Sequence, residues 1–344
     1  MMPRSSLLKV AKLAAQVLDD SGAHERVEQG YTRIDPVAIA EKAGIAVMAR
    51  PLDKLLGAFL REEEPGIILN TRRPTGMFHM TCAHELGHFY LGHLTTADEH
   101  LDYQSDAAPF ELEADQFAYA LMAPAWLITQ VLNLQGWGRL AVKDPDVLYQ
   151  LSLRLGLSYT ATVWSLVRSR FLNASLAKSL AAFPPAELKR RTMPEGTTLK
   201  ENQDVWRLRP ADRECVLEPR ATDTVVMTLP SHAAAGYLWS LQGAADHGYA
   251  LEPVTINDAK TLLKAEDLVV GSASSLQYQL RLEEHPAVEI GADPVVLAFR
   301  ESQPWTTSSG NAADSFSLRT KVEMTPSGLS QGTKTRVVAE MTSA

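Results

Sequence analysis

The residues best suited to chemistry form one pentad, His84-Glu85-Leu86-Gly87-His88, inside a segment that predicts a helix over residues 75–91. On a helix, two histidines four residues apart lie on one face, about 40° apart, and both can bind the same Zn²⁺. Glu85 lies one position further round, where its carboxylate can take a proton from water that the metal activates. The plainer alternative is a helix that carries two histidines by chance. The pentad predicts zinc-dependent hydrolysis, provided that the chain supplies a third ligand.

A third ligand is predicted in an acidic run within residues 110–122, which read as a helix that stops near Pro124. Catalytic zinc usually has three protein ligands and one open position. Glu111 and Asp115, four residues apart, share a helix face, so one carboxylate can bind zinc while the other orients a ligand histidine. We assign Glu111 as the ligand and Asp115 as the orienting residue, with Glu113 as the substitute ligand. The alternative is a solvated helix start, where acids suit the helix dipole.

Three segments together resemble the ImmA/IrrE family of zinc metallopeptidases, and the resemblance covers about the first 180 residues. They are Gly66-Ile67-Ile68-Leu69-Asn70, Phe78-His79-Met80-Thr81-Cys82-Ala83-His84-Glu85-Leu86-Gly87-His88 and Glu111-Leu112-Glu113-Ala114-Asp115-Gln116-Phe117-Ala118-Tyr119-Ala120-Leu121-Met122-Ala123-Pro124. The resemblance implies an intracellular protease that relieves repression by cutting a helix-turn-helix repressor, in mobile elements, toxin–antitoxin-like pairs or stress responses. It also implies zinc ligands at His84, His88 and Glu111 and a general base at Glu85.

The elements that must position these residues alternate between helix and strand. Asp35 and Pro36 begin a helix, as cap and first residue, and Gly44 ends it. Short strands are predicted at residues 45–49, 58–61 and 67–70, and the turn at 62–66 makes the last two a hairpin. Near the start of the chain, apolar residues at helical spacing predict an amphipathic packing helix rather than a signal peptide: Leu7, Leu8, Val10, Ala11, Ala14, Val17 and Leu18.

A peptidase also needs an electrophile that stabilises the oxyanion of the tetrahedral intermediate. The candidates near the pentad are Tyr90, His93, His100 and Tyr103, and the sequence does not choose among them. His79 and His93 each lie five residues from a pentad histidine, off the metal-facing side, and are expected at the surface or behind the ligands. The polar segment 95–109 is predicted to be a mobile lid or a simple connection.

Residues 146–167 read as helix, glycine-containing turn and helix, which is the helix-turn-helix pattern. The second helix offers few positive charges, and its polar residues are mostly Thr160, Thr162, Ser165 and Arg168. The net charge of −8 disfavours nonspecific binding to nucleic acid or an anionic membrane. We therefore expect no direct DNA binding and interpret this segment as a helical subdomain beside the peptidase, as the resemblance implies.

The pattern changes after residue 183. Prolines and glycine in residues 184–210 predict a partly ordered inter-domain connection. Strands are then predicted at residues 222–229, 276–282, 295–299 and 316–322. About six or seven strands in roughly 130 residues predict a small β-sandwich.

Three predicted loops of this region resemble the inhibitory loops of the chagasin family, immunoglobulin-like inhibitors of papain-type cysteine proteases. They are Gly236-Tyr237-Leu238-Trp239, Gly271-Ser272-Ala273-Ser274-Ser275 and Gln303-Pro304-Trp305. The chain departs from the family pattern, because His232-Ala233-Ala234-Ala235 replaces Asn-Pro-Thr-Thr, Gln303 replaces an arginine and the middle loop has lost glycines. The alternatives are core aromatics, for Trp239 and Trp305, or a general protein-binding rim of Gly236, Tyr237, Trp239, Pro304 and Trp305.

Composition sets the remaining limits. A chain of 344 residues with 45% hydrophobic residues is long enough for more than one domain. No apolar run approaches the 18 residues of a membrane span, so none is expected. Two cysteines, Cys82 and Cys215, suit a reducing cytoplasm, and Cys82 is interpreted as a small buried thiol rather than an accessory ligand.

The sequence thus predicts a multidomain α+β protein. Its parts are a zincin-like helical metallopeptidase domain with a small sheet (1–140), a helix-turn-helix-like subdomain (141–183), a linker (184–214) and an immunoglobulin-like β-sandwich (215–344). The predicted function is that of a cytoplasmic Zn²⁺ endopeptidase that cuts a helix-turn-helix repressor, with the β domain serving recognition or regulation. Two alternatives stay open: a non-catalytic zinc-containing regulator that binds DNA or protein, and an inhibitor-like protein that binds cysteine proteases.

Overall fold

The computed structural model describes residues 4–98, 108–194, 197–200, 202–242, 248–254, 274–282, 293–305, 312–325 and 327–343. The chain forms two compact units. The first comprises residues 1–133, 138–182 and 325–344, and the second comprises residues 134–137 and 183–324. Helices and several small sheets make this an α+β protein, as predicted.

The described α-helices are α1 (Arg4–Ser21), α2 (Ala23–Glu28), α3 (Pro36–Lys42), α4 (Thr75–Leu91), α5 (Pro109–Met122), α6 (Ala125–Leu134), α7 (Pro145–Leu155), α8 (Tyr159–Arg168), α9 (Ala174–Ala181), α10 (Pro185–Thr192) and α11 (Gln331–Ser343). The strands are β1 (Ala46–Arg50), β2 (Gly57–Leu60), β3 (Gly66–Asn70), β4 (Thr96–Asp98), β5 (Val205–Leu208), β6 (Val216–Leu217), β7 (Thr224–Ser231), β8 (Leu238–Gln242), β9 (Tyr249–Pro253), β10 (Ser274–Leu282), β11 (Val295–Ser302), β12 (Ala312–Thr320) and β13 (Gly328–Leu329).

Local signals place the first helices as predicted. The side chain of Asp35 accepts hydrogen bonds from the backbone N–H groups of Val37 and Ala38, and Pro36 is the first residue of α3. Along α1 the helical apolar stripe is buried at Val10, Ala14, Val17 and Leu18, whereas Leu8 is exposed. Helix α1 packs on α5 and therefore supports one wall of the site described below.

The sheet of the first unit has the strand order β13-β1-β3-β2-β4. Strands β2 and β3 form the predicted antiparallel hairpin, and β1 pairs with β3 in parallel. Strand β4 pairs with β2, within the segment 95–109 that the sequence predicted to be a lid or a connection. The alternation of apolar and polar residues that normally indicates a strand cannot be recognised in three residues, so the sequence did not predict β4.

The fifth strand of this sheet comes from far along the chain. In β13, Leu329 and Gly328 pair with Met48 and Ala49 of β1. Residues 325–344, which the predicted boundaries place in the β-sandwich, therefore belong to the first unit. A two-residue strand with one apolar side chain carries no pattern that distinguishes its partner sheet.

Residues 145–168 fold as the predicted helix, turn and helix. Gly156 ends α7 in the left-handed region at φ +64°, and the side chain of Ser158 caps α8. Thr162 and Ser165, which the sequence offered as polar contacts, are buried and donate to the carbonyls of Ser158 and Ala161. These two hydroxyls are therefore engaged within the helix rather than available to a ligand.

The second unit contains two four-stranded sheets, with orders β5-β7-β10-β9 and β6-β12-β11-β8. The four strands predicted at 222–229, 276–282, 295–299 and 316–322 appear as β7, β10, β11 and β12. The segment 184–214, predicted to be a linker, instead supplies α10 and β5, and β5 pairs in parallel with β7. Pro184 and Pro185 lie at the start of α10, and Pro210 begins a short 3-10 helix, Pro210–Glu214. An immunoglobulin-like sandwich stays a prediction.

One segment, Pro109–Leu134, is long and apolar enough to cross a membrane by length and composition. It consists of two helices, α5 and α6, that are separated at Ala123 and Pro124. Just over half of its most apolar window, 56%, is buried within the protein, which is also how core helices of water-soluble proteins behave. It is therefore weak evidence for a membrane span, and the expectation that there is none stays a prediction.

Candidate metal centre

The pentad lies in the interior of the first unit, on helix α4, where every residue from Phe78 to His88 is buried. The helix packs against α5, α3, β2 and β3. At Gly87 the approach of α5 is so close that an added Cβ would lie 3.0 Å from Cα of Ala114. The glycine of the pentad thus lets the two helices that carry the predicted ligands lie side by side.

Three side chains meet where α4 and α5 touch: His84, His88 and Glu111. Nε2 of His84 lies 3.1 Å from Oε2 of Glu111 and 3.0 Å from Nε2 of His88, and Nε2 of His88 lies 3.6 Å from the same carboxylate oxygen. The three ligand atoms all lie within 4.8 Å of one another. Two imidazole nitrogens and one carboxylate oxygen match the donor set of His₂Glu zinc peptidases. The donor chemistry and spacing fit one Zn²⁺.

Asp115 lies behind His84, one helical turn after Glu111. Its Oδ1 accepts from Nδ1 of His84 at 2.9 Å. A proton on Nδ1 leaves the lone pair of Nε2 facing the cluster, which is the tautomer that a metal needs. This contact is compatible with an orienting carboxylate, and that role of Asp115 stays a prediction.

The two histidines of the ligand cluster stabilise the ionised form of Glu111. Burial raises the pKa of Glu111 most strongly, but when no metal takes their Nε2 lone pairs, His84 and His88 in the protonated form outweigh it through hydrogen bonds and positive charge and bring the pKa to about 2. Glu111 is therefore ionised at neutral pH, as a carboxylate ligand must be.

Glu85 is fully buried and lies beside β2. The space for its carboxylate depends on Gly57, because a Cβ at that position would lie 2.9 Å from Oε1 of Glu85 and 2.5 Å from Cγ2 of Thr81. Gly57 was not predicted from the sequence, because its partner on α4 is 28 positions away and nothing local to a strand glycine indicates such an approach.

Arg61 is a second residue that sequence reasoning missed. Its guanidinium donates to the carbonyls of His88, Phe89 and His93 and so binds the last turn of α4, where backbone acceptors lack helical partners. This contact ties the end of β2 to the end of the ligand-bearing helix. The only sequence signal was a single arginine after a predicted strand, which is too common to be diagnostic.

The remaining candidates occupy different surroundings. Tyr90 follows His88 by two residues, about 200° round the helix, and stacks on Phe117, where burial raises its pKa. His93 lies against His88, with the two Nδ1 atoms 3.0 Å apart. Glu113, the substitute ligand, points its Oε2 towards His93 at 3.5 Å and not into the ligand cluster. His100 and Tyr103 lie outside the described residues.

Two other residues near the pentad are structural. His79 is buried and not at the surface; its Nδ1 lies 2.8 Å from the carbonyl of Gly156, which joins α4 to the turn between α7 and α8. Cys82 is a free, fully buried thiol, and burial raises its pKa well above the ordinary value. A protonated thiol matches the expected packing role rather than a ligand role.

In the second unit the predicted binding loops are partly strand. Trp239 lies within β8, is buried and donates its indole N–H to the carbonyl of Pro230, so it is a core aromatic. Trp305 follows Pro304 in a turn and is 68% exposed. Its ring covers Gly236, where an added Cβ would lie 2.3 Å from Cη2 of Trp305. Tyr237 places its ring edge-on to His232.

Similarity to known proteins covers parts of the chain. A solved structure of a cysteine protease inhibitor from Entamoeba histolytica is similar to part of the chain, at 14% identity over 35% of this chain and 97% of that protein. Its TM-score of 0.25 does not establish a shared fold. No curated protein sequence matches the chain significantly. Residues 40–163, which contain the pentad and Glu111, match the model of the IrrE N-terminal-like domain (Peptidase_M78), and this match supports the ImmA/IrrE family and a peptidase.

Proposed function

We propose that this protein is a zinc endopeptidase whose metal is held by His84, His88 and Glu111. The observation that carries the proposal is the convergence of these three ligand atoms within 4.8 Å of one another. Glu85, which is buried, follows the ligand His84 on the same helix. The family match supports the peptidase chemistry. The spacing on α4 and α5 supports one shared metal ion.

Each side chain of the site has a distinct task. Zinc bound here would supply Lewis-acid polarisation to the reacting carbonyl and to water. Glu85 takes the proton of the attacking water on its carboxylate and later delivers it to the leaving amine. Asp115 holds the proton on Nδ1 of His84, so that Nε2 stays a lone-pair donor. Glu85 is fully buried, which keeps this proton transfer away from bulk water.

The proposed substrate is a helix-turn-helix transcriptional repressor, and the proposed setting is the cytoplasm during a stress response. The family resemblance supports this substrate class. The buried hydroxyls of Thr162 and Ser165 and the net charge of −8 support a protein substrate over direct DNA binding.

For the second unit we propose recognition or regulation of the substrate. Trp305 supports a protein-binding role, because a turn holds its exposed ring over Gly236 and Trp residues are frequent anchors of protein interfaces. Trp305→Ala should weaken substrate capture while leaving the zinc content unchanged. Inhibition of a papain-type protease by the intact protein, lost in the same variant, would instead favour the inhibitor-like alternative.

The test compares new protein N-termini in extracts of the host cell that receive either the wild-type protein or Glu85→Gln, with zinc content measured in both. Glu85→Gln should retain zinc and lose cleavage, because an amide cannot accept the proton. Discrete cuts within a helix-turn-helix repressor, seen only with the wild type, are the expected result.

A matched control is Glu28→Gln, which alters an exposed glutamate of α2 and should cut normally. Cleavage that persists in Glu85→Gln would contradict the assignment of the base. Full zinc occupancy in Glu111→Ala would contradict the ligand set and point to Glu113 or Asp115. Bound zinc without cleavage by the wild type under any stress condition would favour a non-catalytic regulator.

A further inference from the structure

We infer that His93 and Glu113 are positioning residues for His88, forming a hydrogen-bonded chain behind the second histidine of the pentad. The inference rests on the proposed function, since it concerns a ligand of the same metal. It assigns a task to two residues that the sequence offered as an oxyanion stabiliser and a substitute ligand.

The two ring nitrogens of His88 face different partners. Nε2 faces the ligand cluster, at 3.0 Å from Nε2 of His84 and 3.6 Å from Oε2 of Glu111. Nδ1 faces away from it, at 3.0 Å from Nδ1 of His93. Because a metal takes the lone pair of Nε2, the proton of the neutral ring must be on Nδ1. His88 therefore donates and His93 accepts.

The position of the proton on the His93 ring follows from its contact with His88. A neutral imidazole whose Nδ1 accepts carries its own proton on Nε2. Nε2 of His93 lies 3.5 Å from Oε2 of Glu113, at the outer limit of a hydrogen bond, and is directed at a carboxylate that can accept it. The chain thus runs from Glu113 through His93 to His88.

His93 is held in place by its backbone as well as its ring. Gly92 ends α4 in the left-handed region at φ +78°, and the next N–H, that of His93, donates to the carbonyl of His88 at 2.9 Å. The carbonyl of His93 accepts from Nε of Arg61 at 2.5 Å. Phe110 packs its ring edge-on to both His88 and His93. A residue fixed at both backbone groups can define the orientation of a neighbouring ring.

The two histidine ligands are therefore supported in parallel ways. His84 has a direct carboxylate partner in Asp115, and His88 has an indirect one in Glu113, with His93 between them. Glu111, Glu113 and Asp115 alternate along α5, so one short acidic run supplies the ligand and both orienting charges. Since both nitrogens of His93 are engaged, its ring is not free to bind an oxyanion.

The test measures the zinc affinity of the full-length protein by competition with a chromogenic chelator, and the visible absorption spectrum of the Co²⁺-substituted protein. His93→Leu should bind zinc about 10- to 100-fold more weakly, the usual effect of losing a partner of a metal ligand, and should shift the Co²⁺ bands. His93→Gln, whose amide oxygen can accept from Nδ1 of His88, should recover part of the affinity. Glu113→Ala should weaken binding less than His93→Leu does.

His24→Leu is the matched control, because His24 is a half-exposed histidine that stacks on Trp126 outside the cluster. Wild-type affinity and an unchanged Co²⁺ spectrum in His93→Leu would overturn the inference while leaving the proposed peptidase intact. Absence of zinc binding in the wild type would instead overturn the proposed function. If His93→Leu does not fold, the zinc affinity of Glu113→Ala tests the inference instead, because the side chain of Glu113 is one-third exposed and its removal should not prevent folding. Unchanged zinc affinity in Glu113→Ala would overturn the proposed hydrogen-bonded chain.

Discussion

Gly57 of β2 lies directly against the carboxylate of Glu85 on α4. A Cβ at Gly57 would lie 2.9 Å from Oε1 of Glu85 and 2.5 Å from Cγ2 of Thr81, both closer than ordinary van der Waals contact. The absence of one methyl group on a strand therefore defines the volume in which the proposed general base can move.

Gly57→Ala should slow cleavage without releasing zinc. The added methyl group displaces Glu85, and a displacement of about 1 Å at a catalytic group can cost about 10²-fold in rate. The measurement is kcat for a repressor substrate, together with zinc content. Gly66→Ala is the matched control, because its Cβ would come no closer than 3.7 Å to the carbonyl of Ala46. Wild-type kcat in Gly57→Ala would show that the base does not depend on this contact.

Gly87→Ala should weaken zinc binding and stability together. Its Cβ would lie 3.0 Å from Cα and 3.1 Å from the carbonyl oxygen of Ala114, so α5 must move away and carry Glu111 with it. Overpacking of this kind costs about 1–3 kcal/mol. Chelator competition and urea unfolding measure the two effects. Gly138→Ala, which has open space around it, should change neither; a loss of stability with unchanged zinc affinity would mean that the two helices are not coupled to the ligand set.

Asp35 should make folding stability depend on pH. Burial acts to raise the pKa of Asp35, but the charges of Arg33 and Arg26 and the N–H of Ala38 outweigh it, and the pKa is lowered from 3.8. A carboxyl whose folded pKa is depressed contributes stability above its unfolded pKa, and the contribution is lost as the pH falls through the folded value.

The comparison that isolates this charge is Asp35→Asn, because asparagine also caps helices well. The variant should be less stable than the wild type at pH 7, and the difference should vanish in strongly acidic solution. Urea unfolding across this pH range measures it. Asp35→Ala should lose about 1 kcal/mol more, the usual cost of a lost cap. A difference between wild type and Asp35→Asn that does not change with pH would contradict the charge argument.

Thr333→Ala should destabilise the first unit. Thr333 is 2% exposed, and its hydroxyl oxygen accepts from the N–H of Val47 on β1 at 3.1 Å. Removal of the hydroxyl leaves a buried donor without this partner, at a cost of about 1–3 kcal/mol. The measurement is the free energy of unfolding. Thr335→Ala, two residues further along the same helix and exposed, is the control and should have almost no effect.

The sequence was sufficient to predict structural features that depend on residues close together in the chain. The pentad, the i, i+4 pair of Glu111 and Asp115 and the Asp35 cap each depend on residues a few positions apart, and the structure brings them together as their spacing requires. The β2–β3 hairpin was predictable for the same reason.

Apart from the meeting of the pentad with the acidic run of α5, the contacts between distant segments were not predicted. Gly57 meets Glu85 across 28 positions, and Glu113 faces His93 because the turn at Gly92 brings that ring back over His88. In the segment 184–214, prolines suggested a connection, yet pairing with β7 makes part of it a strand, since a strand gains most of its stability from its neighbours.

The return of β13 to β1 has a genetic consequence. Any premature stop codon that removes residues 325–344 also removes an edge strand from the sheet behind α4 and leaves the backbone groups of β1 open to pairing with another chain. A stop codon close to residue 325 would therefore damage the first unit while leaving the residues of the second in place, and one near residue 183 would combine loss of most of the second unit with damage to the first. An in-frame deletion that joins residue 182 to residue 325 would instead remove most of the second unit and keep β13.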